Sequence, residues 1–205
     1  MSVPTGGVPS FGGFDVPMGE QIKDLGYAAG WGLIRTMPEF AARNVFDAGA
    51  LYAARGGGPE QLRKNLARVL GVRPAKVPGR IIRASLASYG RYWREAFRLP
   101  SMDLSAVARR LDRVFIGGEH FANAKAAGHG AIIALPHSGN WDMAGVWVVQ
   151  HFGRFATVAE RLKPESLYRR FVEYRESLGF EIIPLTGGAE PPFEVLVDRL
   201  RGNGI

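Results

Sequence analysis

The pattern of helix-like and strand-like segments changes once along the chain, near residue 130, and this change most limits the possible fold. Before it, Ala-rich and amphipathic stretches predict helices alone. After it, short apolar runs at Ala131–Leu135, Phe155–Ala159 and Phe180–Pro184 alternate with helical stretches. Such alternation indicates parallel strands joined by right-handed crossovers. We therefore expect an α/β fold with a mostly parallel central sheet flanked by helices and a helical N-terminal half.

Local signals predict where the helices begin and end. Pro59 starts a helix that runs to Leu70, because Pro favours the first helical position and Gly71 the position after the last. Further helices are predicted over about residues 20–54 with an interruption near Pro38, 79–97, 104–114, 119–127, 141–151, 164–178 and 192–201. Residues 1–19 are rich in Gly, Pro and Ser and predict a flexible tail, which leaves 20–205 as a single domain.

Composition narrows the classes of partner. The chain has 205 residues, no cysteine and a formal net charge of +7, so disulfides and thiolate chemistry are excluded. Between Arg55 and Arg113, fourteen Lys or Arg stand against four Asp or Glu, which suits a membrane surface, a nucleic acid or a phosphate-rich substrate. No uncharged apolar run approaches the roughly 18–20 residues that span a bilayer. We expect a cytoplasmic protein that can rest on a membrane.

An apolar stripe near the start of the chain has two interpretations. Its residues are Trp31, Leu33, Ile34, Met37 and Phe40, and basic residues lie beside them in the sequence. One interpretation is a helix packed on the core. The other is an interfacial helix or hairpin that dips into lipid, where aromatic and basic residues are favoured.

A candidate catalytic pair follows the first predicted strand. His137 comes at the carboxyl end of that strand, the edge at which ligands bind in open α/β sheets. Gly139 permits a sharp turn, Asn140 can cap the helix that begins at Trp141, and Asp142 lies in its first turn. We expect Asp142 to reach one ring nitrogen of His137, so that the other nitrogen acts as a general base. A purely structural His–Asp pair is the alternative.

Two other chemistries fit the sequence less well. Ser138 as a nucleophile would be adjacent to His137, where neighbouring side chains diverge, and no Gly-x-Ser-x-Gly elbow surrounds it. The other histidines, at 120, 129 and 151, have no ligand-like spacing, so no metal site is predicted.

A second set of charges begins at the end of the second predicted strand. Glu160 ends that apolar run, and Arg161, Lys163, Arg169, Arg170 and Arg175 follow it. These charges would clamp a polar or phosphate-bearing substrate, or they form a solvated helix face, which we favour for Arg169 and Arg170.

The stretch His137-Ser-Gly-Asn-Trp-Asp142 resembles the His-x4-Asp/Glu motif of the lipid A acyltransferase-type superfamily in its His-x-Gly-Asn-Trp-Glu/Asp form. Four other stretches further resemble the mycobacterial phosphatidylinositol mannoside acyltransferases: Ser88–Glu95, Glu160–Tyr168, Tyr174–Phe180 and Pro191–Leu196. The similarity covers about Gly26 to the last residue.

The resemblance implies a specific reaction. Enzymes of this kind move a palmitoyl group from palmitoyl-CoA, a substrate and not a cofactor, to the 6-hydroxyl of a mannose on a phosphatidylinositol mannoside. His137 would match the catalytic base and Asp142 its relay partner, with Gly139, Asn140 and Trp141 completing a substrate-binding motif. Glu160 and Arg175 would position the acceptor head group and support the site. The resemblance places the reaction at the cytoplasmic face of the inner membrane, with the protein bound peripherally to an anionic surface.

The same resemblance implies that more chain takes part. Such enzymes continue past the position of Ile205 through further strands and another acidic residue. We therefore expect this chain to be C-terminally incomplete as an enzyme and to pair with a C-terminal segment of the same protein.

Two alternative functions are weighed against this one. The first is a related acyltransferase that acts on another glycolipid or on a lysophospholipid. The second is a non-catalytic basic protein that binds membranes or nucleic acid, with Tyr89, Tyr92 and Trp93 beside arginines for stacking and phosphate contacts. Nothing in that second function accounts for the pair His137-x4-Asp142, and we expect no nucleic-acid partner.

Overall fold

The computed structural model describes residues 26, 29–136 and 138–205. The predicted tail and His137 therefore lie outside the described residues. In chain order the helices are α1 (29–36), α2 (Glu39–Ala53), α3 (Glu60–Leu70), α4 (Gly79–Arg98), α5 (Leu104–Leu111), α6 (Gly118–Ala126), α7 (Trp141–Phe152), α8 (Glu165–Ser177) and α9 (Pro192–Arg201), and the strands are β1 (Ala156–Ala159) and β2 (Glu181–Pro184). None of the described helices is long and apolar enough to cross a membrane.

The helix ends follow the local signals in the sequence. The predicted interruption at Pro38 separates α1 from α2, and Pro38 is the N-cap residue of α2. Pro59, predicted as the first helical residue, is instead the N-cap of α3, one position earlier, and Gly71 closes that helix in the left-handed conformation at φ 65° as predicted. Glycine adopts this conformation without the steric cost that a Cβ brings, so it ends helices readily. Within the described residues the predicted helices thus exist, and most of their ends shift by only a few residues, while the predicted helical residues 20–25 lie outside the described part of the chain.

The strands β1 and β2 pair in parallel, as the alternating pattern predicted. Ala156 lies opposite Glu181 and Ala159 opposite Pro184, with α8 as the connection between the strands. Their ladder continues at both ends through the Glu181 N–H, which donates to the Phe155 carbonyl at 2.8 Å, and the Leu185 N–H, which donates to the Ala159 carbonyl at 2.9 Å. The described residues thus form an α/β fold whose sheet has two strands.

The predicted strand Ala131–Leu135 is wrong as a strand, because these residues have no regular hydrogen-bond ladder. The Ala131 N–H donates to the Gly204 carbonyl at 3.0 Å, and the Ala156 N–H of β1 donates to the Ile205 carbonyl at 2.8 Å. Residues 204–205 therefore lie between this segment and β1. An apolar run indicates burial, but a strand also needs a paired neighbour along its length. Ile132, at 81% exposed, shows how little covers the segment.

The core is centred on α7, which is apolar on most of its surface. Val146, Trp147 and Val148 are buried, and α7 packs against α5 on one side. On another side Gly145 meets the ring of Phe180, so closely that a Cβ at Gly145 would lie 2.4 Å from the Cζ atom of that ring. A helix that is apolar nearly all round needs cover on every side. Because α7 is packed on several sides, its first turn lies against α4 and α8, where Asp142 contacts Tyr92 and Arg175.

Some residues of the apolar stripe on α1 and α2 pack on the core, as the first interpretation predicted, and others face outward, as the second requires. Trp31 packs on the main core cluster and Ile34 is buried. Leu33 and Phe40 are largely exposed. One side of this helical pair therefore packs on the core, while the other presents apolar side chains outward.

Candidate active site

The turn before α7 is built as the sequence predicted. Gly139 has φ 68°, the left-handed conformation that a sharp turn needs. The Asn140 side-chain oxygen accepts a hydrogen bond from the Met143 N–H at 3.1 Å and so caps the helix. Its amide nitrogen donates to Glu95 of α4 at 3.0 Å. Asn140 therefore fixes both the start of α7 and its position against α4. His137 lies outside the described residues, so its contact with Asp142 stays a prediction.

Asp142 is the most buried charged residue among the described ones. It lies in the first turn of α7 and is only 1% exposed. The Tyr92 hydroxyl of α4 donates to its Oδ2 at 3.1 Å, and the Arg175 Nε of α8 lies 3.5 Å from its Oδ1. Burial raises the pKa of the Asp142 carboxyl, because a low dielectric disfavours the charged form. Arg175 and the Tyr92 hydrogen bond oppose that shift, so they favour the carboxylate.

Arg175 is held by an ion pair and by two aromatic rings. Besides the ion pair with Asp142, its Cζ lies 4.3 Å from the ring centroid of Trp141 and 5.7 Å from that of Phe171. Its side chain is 14% exposed. Desolvated cation–π contacts of this kind are worth about 2 kcal/mol. The structure thus brings three of the predicted site residues together, Trp141, Asp142 and Arg175, and directs Arg175 towards the carboxylate.

Two tyrosines belong to this cluster, and the sequence argument did not assign them to it. Burial raises the pKa of the Tyr92 hydroxyl, and the neighbouring negative charge of Asp142 raises it further. The same two causes raise the pKa of Tyr174 on α8, whose hydroxyl is buried near Asp142. Both phenols therefore stay protonated beside the carboxylate. In the sequence, these two tyrosines stood out through the resemblance of Ser88–Glu95 and Tyr174–Phe180 to the mycobacterial acyltransferases. A resemblance of this kind does not say which residues contact each other in the fold.

Glu160 lies apart from the buried cluster. It directly follows β1 at the carboxyl end of that strand, as predicted, and it is exposed. In the described part of the chain no hydrogen bond or ion pair joins it to Asp142 or Arg175. Arg161 and Arg169 both lie near Glu165, at 2.8 and 4.0 Å, as surface ion pairs along α8. For Arg169 this agrees with the solvated helix face that we favoured.

A groove runs from the loop at 138–141 along one face of α4. Its volume is about 1030 Å³. Ser138, Gly139 and Trp141 line one end, and α4 contributes a row of side chains that ends at Arg80. Tyr92 belongs to this wall and also donates to Asp142. The groove therefore opens beside the turn that carries the predicted catalytic motif.

The pair His151–Asp112, elsewhere among the described residues, has a structural setting. The His151 Nε2 lies 3.0 Å from Asp112, while its Nδ1 lies 3.0 Å from the Trp147 carbonyl. The Trp147 indole also donates to Asp112 at 2.7 Å, so this cluster joins α7 to the end of α5. Among the described residues, no group of three potential ligands could hold a metal ion.

Comparison with known proteins places the chain in a family. The family model described as bacterial lipid A biosynthesis acyltransferase matches residues 19–205, which is nearly the whole chain. The chain belongs to that family. It is 69% identical over 188 residues to the phosphatidylinositol mannoside acyltransferase of Mycolicibacterium smegmatis, with 92% of this chain and 61% of the relative covered. It is 68% identical over 182 residues to the protein of that name from Mycobacterium tuberculosis strain CDC 1551, with 89% of this chain and 58% of the relative covered.

The family match confirms the resemblance drawn from residues 137–142 and from the four longer stretches. The chain spans about three fifths of the length of the curated relatives that it matches. The structure shows the surroundings of Asp142, Trp141 and Arg175, and the comparison shows the family to which the chain belongs.

Proposed function

We propose that this chain forms part of an O-acyltransferase that moves a palmitoyl group from palmitoyl-CoA to the 6-hydroxyl of a mannose on a phosphatidylinositol mannoside. The observation that carries the proposal is Asp142, a buried carboxylate with two donors at the start of α7, five positions after His137. The high identity to relatives named phosphatidylinositol mannoside acyltransferases supports the acceptor class.

In the proposed mechanism the attacking nucleophile is the sugar oxygen. Neutral His137 accepts the proton of the mannose hydroxyl while that oxygen bonds to the thioester carbonyl carbon. The carbonyl becomes an oxyanion, and its collapse breaks the carbon–sulfur bond and releases CoA as a thiolate, which takes up a proton. An unperturbed histidine titrates near pH ~6.5, so the neutral form is available at cytoplasmic pH. The backbone N–H groups of Trp141 and Asp142, at the start of α7, have no partner within the helix and would stabilise the oxyanion.

Within this proposal Asp142 holds the correct tautomer of His137 and stabilises the imidazolium. That role needs an ionised carboxylate, and the ion pair with Arg175 favours ionisation. Arg175 then supports the site through Asp142 and Trp141. Glu160, which is exposed at the end of β1, remains the proposed contact for the acceptor head group.

A C-terminal segment of the same protein is the proposed partner of the sheet. Within the described residues, no backbone–backbone hydrogen bond involves residues 132–135, and the side of β1 away from β2 makes one, from the Ala156 N–H to the Ile205 carbonyl. Between them lies an apolar cavity of about 350 Å³, lined by residues that include Ile133, Val158 and Leu196. Two edges that are largely unpaired in the described residues, on either side of an apolar space, suit one more strand. Amide hydrogen exchange compares this chain with a longer chain that continues past Ile205. Slower exchange at residues 132–135 in the longer chain is expected, and unchanged exchange would contradict the proposal.

Peripheral binding at the cytoplasmic face of the membrane is also proposed. Leu33, Phe40, Leu51 and Tyr52 are exposed on α1 and α2, and the chain is strongly basic between residues 55 and 113. Apolar side chains near positive charge favour an anionic lipid surface. Cosedimentation with anionic liposomes in the presence of competitor DNA tests this. Binding that DNA abolishes would favour the basic nucleic-acid-binding alternative.

The decisive test of the function is acyl transfer by the longer polypeptide that carries this region. Radiolabelled palmitoyl-CoA is supplied with a panel of acceptors: phosphatidylinositol mannosides, other glycolipids and lysophospholipids. We expect transfer to the mannosides and its near-complete loss in His137→Ala, with His129→Ala as the matched control. Retained turnover in His137→Ala would refute the base assignment. Transfer to another acceptor alone would favour the related acyltransferase.

A further inference from the structure

Helix α4 contacts the start of α7 through two side chains that lie three positions apart. The Tyr92 hydroxyl donates to Asp142, and the Glu95 carboxylate accepts from the side-chain amide of Asn140. We propose that Glu95 is a positioning residue for acyl transfer, which fixes the Asn140 amide and, through it, the first turn of α7. The inference rests on the proposed function, because that function gives this turn its part in the reaction.

The amide of Asn140 lies between two partners that require the same orientation. On one side the Met143 N–H needs an acceptor, and the amide oxygen lies 3.1 Å from it. On the other side an ionised Glu95 carboxylate needs a donor, and the amide nitrogen lies 3.0 Å from its Oε2 atom. A flipped amide would set donor against donor and acceptor against acceptor. Glu95 therefore favours the one orientation in which Asn140 caps α7.

The neighbouring charges on α4 are directed to a different helix. The Nε atoms of Arg94 and Arg98 lie 3.4 and 3.0 Å from the Glu39 carboxylate of α2. Within residues 29–136 and 138–205 no ion pair involves Glu95, and its side-chain partner there is the Asn140 amide. Residues three or four positions apart share a helix face, so α4 uses one face to hold α2 and an adjacent one to hold the start of α7. The contact of Glu95 is thus local to the turn before the active-site helix.

The first turn of α7 carries groups on which the proposed mechanism depends. The backbone N–H groups of Trp141 and Asp142 would stabilise the oxyanion, and the Asp142 carboxylate would orient His137. Asn140 directly precedes these residues as the N-cap. Functional groups of this kind need positions within about 0.5 Å, and a shift of about 1 Å costs about a hundredfold in rate. One contact with α4 would let the turn pivot, whereas the second contact, from Glu95, holds it.

Kinetics on the longer polypeptide test the role of Glu95 in the reaction. Glu95→Ala should lower kcat about tenfold to a hundredfold and change KM for palmitoyl-CoA little, because the reacting groups lose their alignment. Glu95→Gln keeps an acceptor for the Asn140 amide and should recover most of that loss. Glu39→Ala is the matched control, since it removes a carboxylate that holds α4 to α2, and it should keep the wild-type kcat.

Thermal melts show whether these variants are folded. A merely structural role would lower the melting temperature in both alanine variants and leave kcat of the folded protein unchanged. Wild-type kcat in a folded Glu95→Ala variant, or equal losses in Glu95→Ala and Glu95→Gln, would overturn the inference.

A reversed hydrogen bond tests the contact without deleting it, and it applies even where Glu95→Ala does not fold. Asn140→Asp keeps the helix cap but sets a second carboxylate against Glu95, so kcat should fall. In the double variant Asn140→Asp with Glu95→Gln, the new amide on α4 donates to the new carboxylate at the N-cap. Its kcat should be about tenfold higher than that of Asn140→Asp alone, as expected for one regained charge-assisted hydrogen bond. A double variant as slow as Asn140→Asp would overturn the inference.

NMR reads the position of the turn without turnover. The longer polypeptide is isotope-labelled at asparagine and tryptophan, so that the Asn140 side-chain amide and the Trp141 backbone N–H are observed. Glu95→Ala should speed solvent exchange of the Asn140 side-chain protons about tenfold and shift the Trp141 resonance, whereas Glu39→Ala should do neither. Wild-type signals in a folded Glu95→Ala variant, or equal changes in Glu39→Ala, would contradict the positioning role.

The outcomes separate this inference from the proposed function. Transfer to an acceptor other than the mannosides would refute the proposed function, while the same pattern of kcat with that acceptor would uphold the role of Glu95. Transfer to the mannosides with no dependence of kcat on Glu95 would do the reverse.

Discussion

Substitution of Arg175 by glutamine leaves Asp142 buried without its positive partner. The two groups lie 3.5 Å apart, and Asp142 is 1% exposed. At an effective dielectric of about 20, this separation corresponds to a Coulomb energy of ~5 kcal/mol. Removal of one partner from a buried pair typically costs about 3–5 kcal/mol. The hydrogen bond from Tyr92 remains in the variant, so we expect the free energy of unfolding to fall by about 3 kcal/mol at neutral pH.

The cost of Arg175→Gln should depend on pH in a definite direction. The pKa of Asp142 is already above its usual range in the folded chain, and loss of Arg175 raises this pKa further. A carboxyl with a raised pKa contributes stability that is present in acid and lost as the pH rises through that pKa. The deficit of the variant should therefore shrink on acidification, by at most about 1.4 kcal/mol per pH unit. It should be largest at neutral pH and above.

Urea unfolding at a series of pH values between about 7.5 and about 5 measures both effects. The matched control is Arg169→Gln on the same helix, whose side chain is 73% exposed and pairs with a surface carboxylate. It should cost less than about 1 kcal/mol at any pH in the series. The double variant Asp142→Asn with Arg175→Gln removes the buried charge and should recover stability at neutral pH. A deficit that stays constant with pH, or a double variant as unstable as Arg175→Gln alone, would refute the reasoning.

Three further predictions concern the packing around α7. Tyr92→Phe removes a hydrogen bond to a buried carboxylate and should cost about 1.5–3 kcal/mol by urea unfolding, whereas Tyr89→Phe on an exposed face should cost almost nothing. Gly145→Ala places a Cβ 2.4 Å from the Phe180 ring and should cost about 1–3 kcal/mol or more, seen as a lower melting temperature. Asn140→Asp keeps the helix cap but sets two carboxylates together, so its stability should be lower at neutral pH and recover in acid; no pH dependence would contradict this.

Features that depend on a few neighbouring residues were predictable from the sequence. Pro59 and Gly71 bound α3 within one residue of the prediction, and Asn140 caps α7 through its own side chain. In each case the stabilising contact lies within one helical turn of the residue that makes it. The alternation of β1, α8 and β2 was likewise readable, because the apolar period changes with the type of element.

Features that depend on distant residues were not predictable in the same way. The run Ala131–Leu135 has the composition of a strand, but its pairing depends on residues more than seventy positions away. Arg175 was selected through the resemblance, whereas its contact with Asp142 follows only from the packing of α8 on α7. Tyr92 lies 50 positions from its partner, and no local pattern marks a tyrosine as a donor to a buried carboxylate.

The start of α7 explains why these distant contacts meet in one place. A relay carboxylate must be ionised to orient an imidazole, yet burial favours the neutral acid. Asp142 is buried because α7 is a central helix, and its charge is offset by Tyr92 of α4 and Arg175 of α8. Asn140 ties the same turn to α4 through Glu95. Three helices thus jointly favour the ionised form of one carboxylate and fix its position. Under the proposed mechanism, a change in any of these contacts should alter proton transfer at His137 through Asp142.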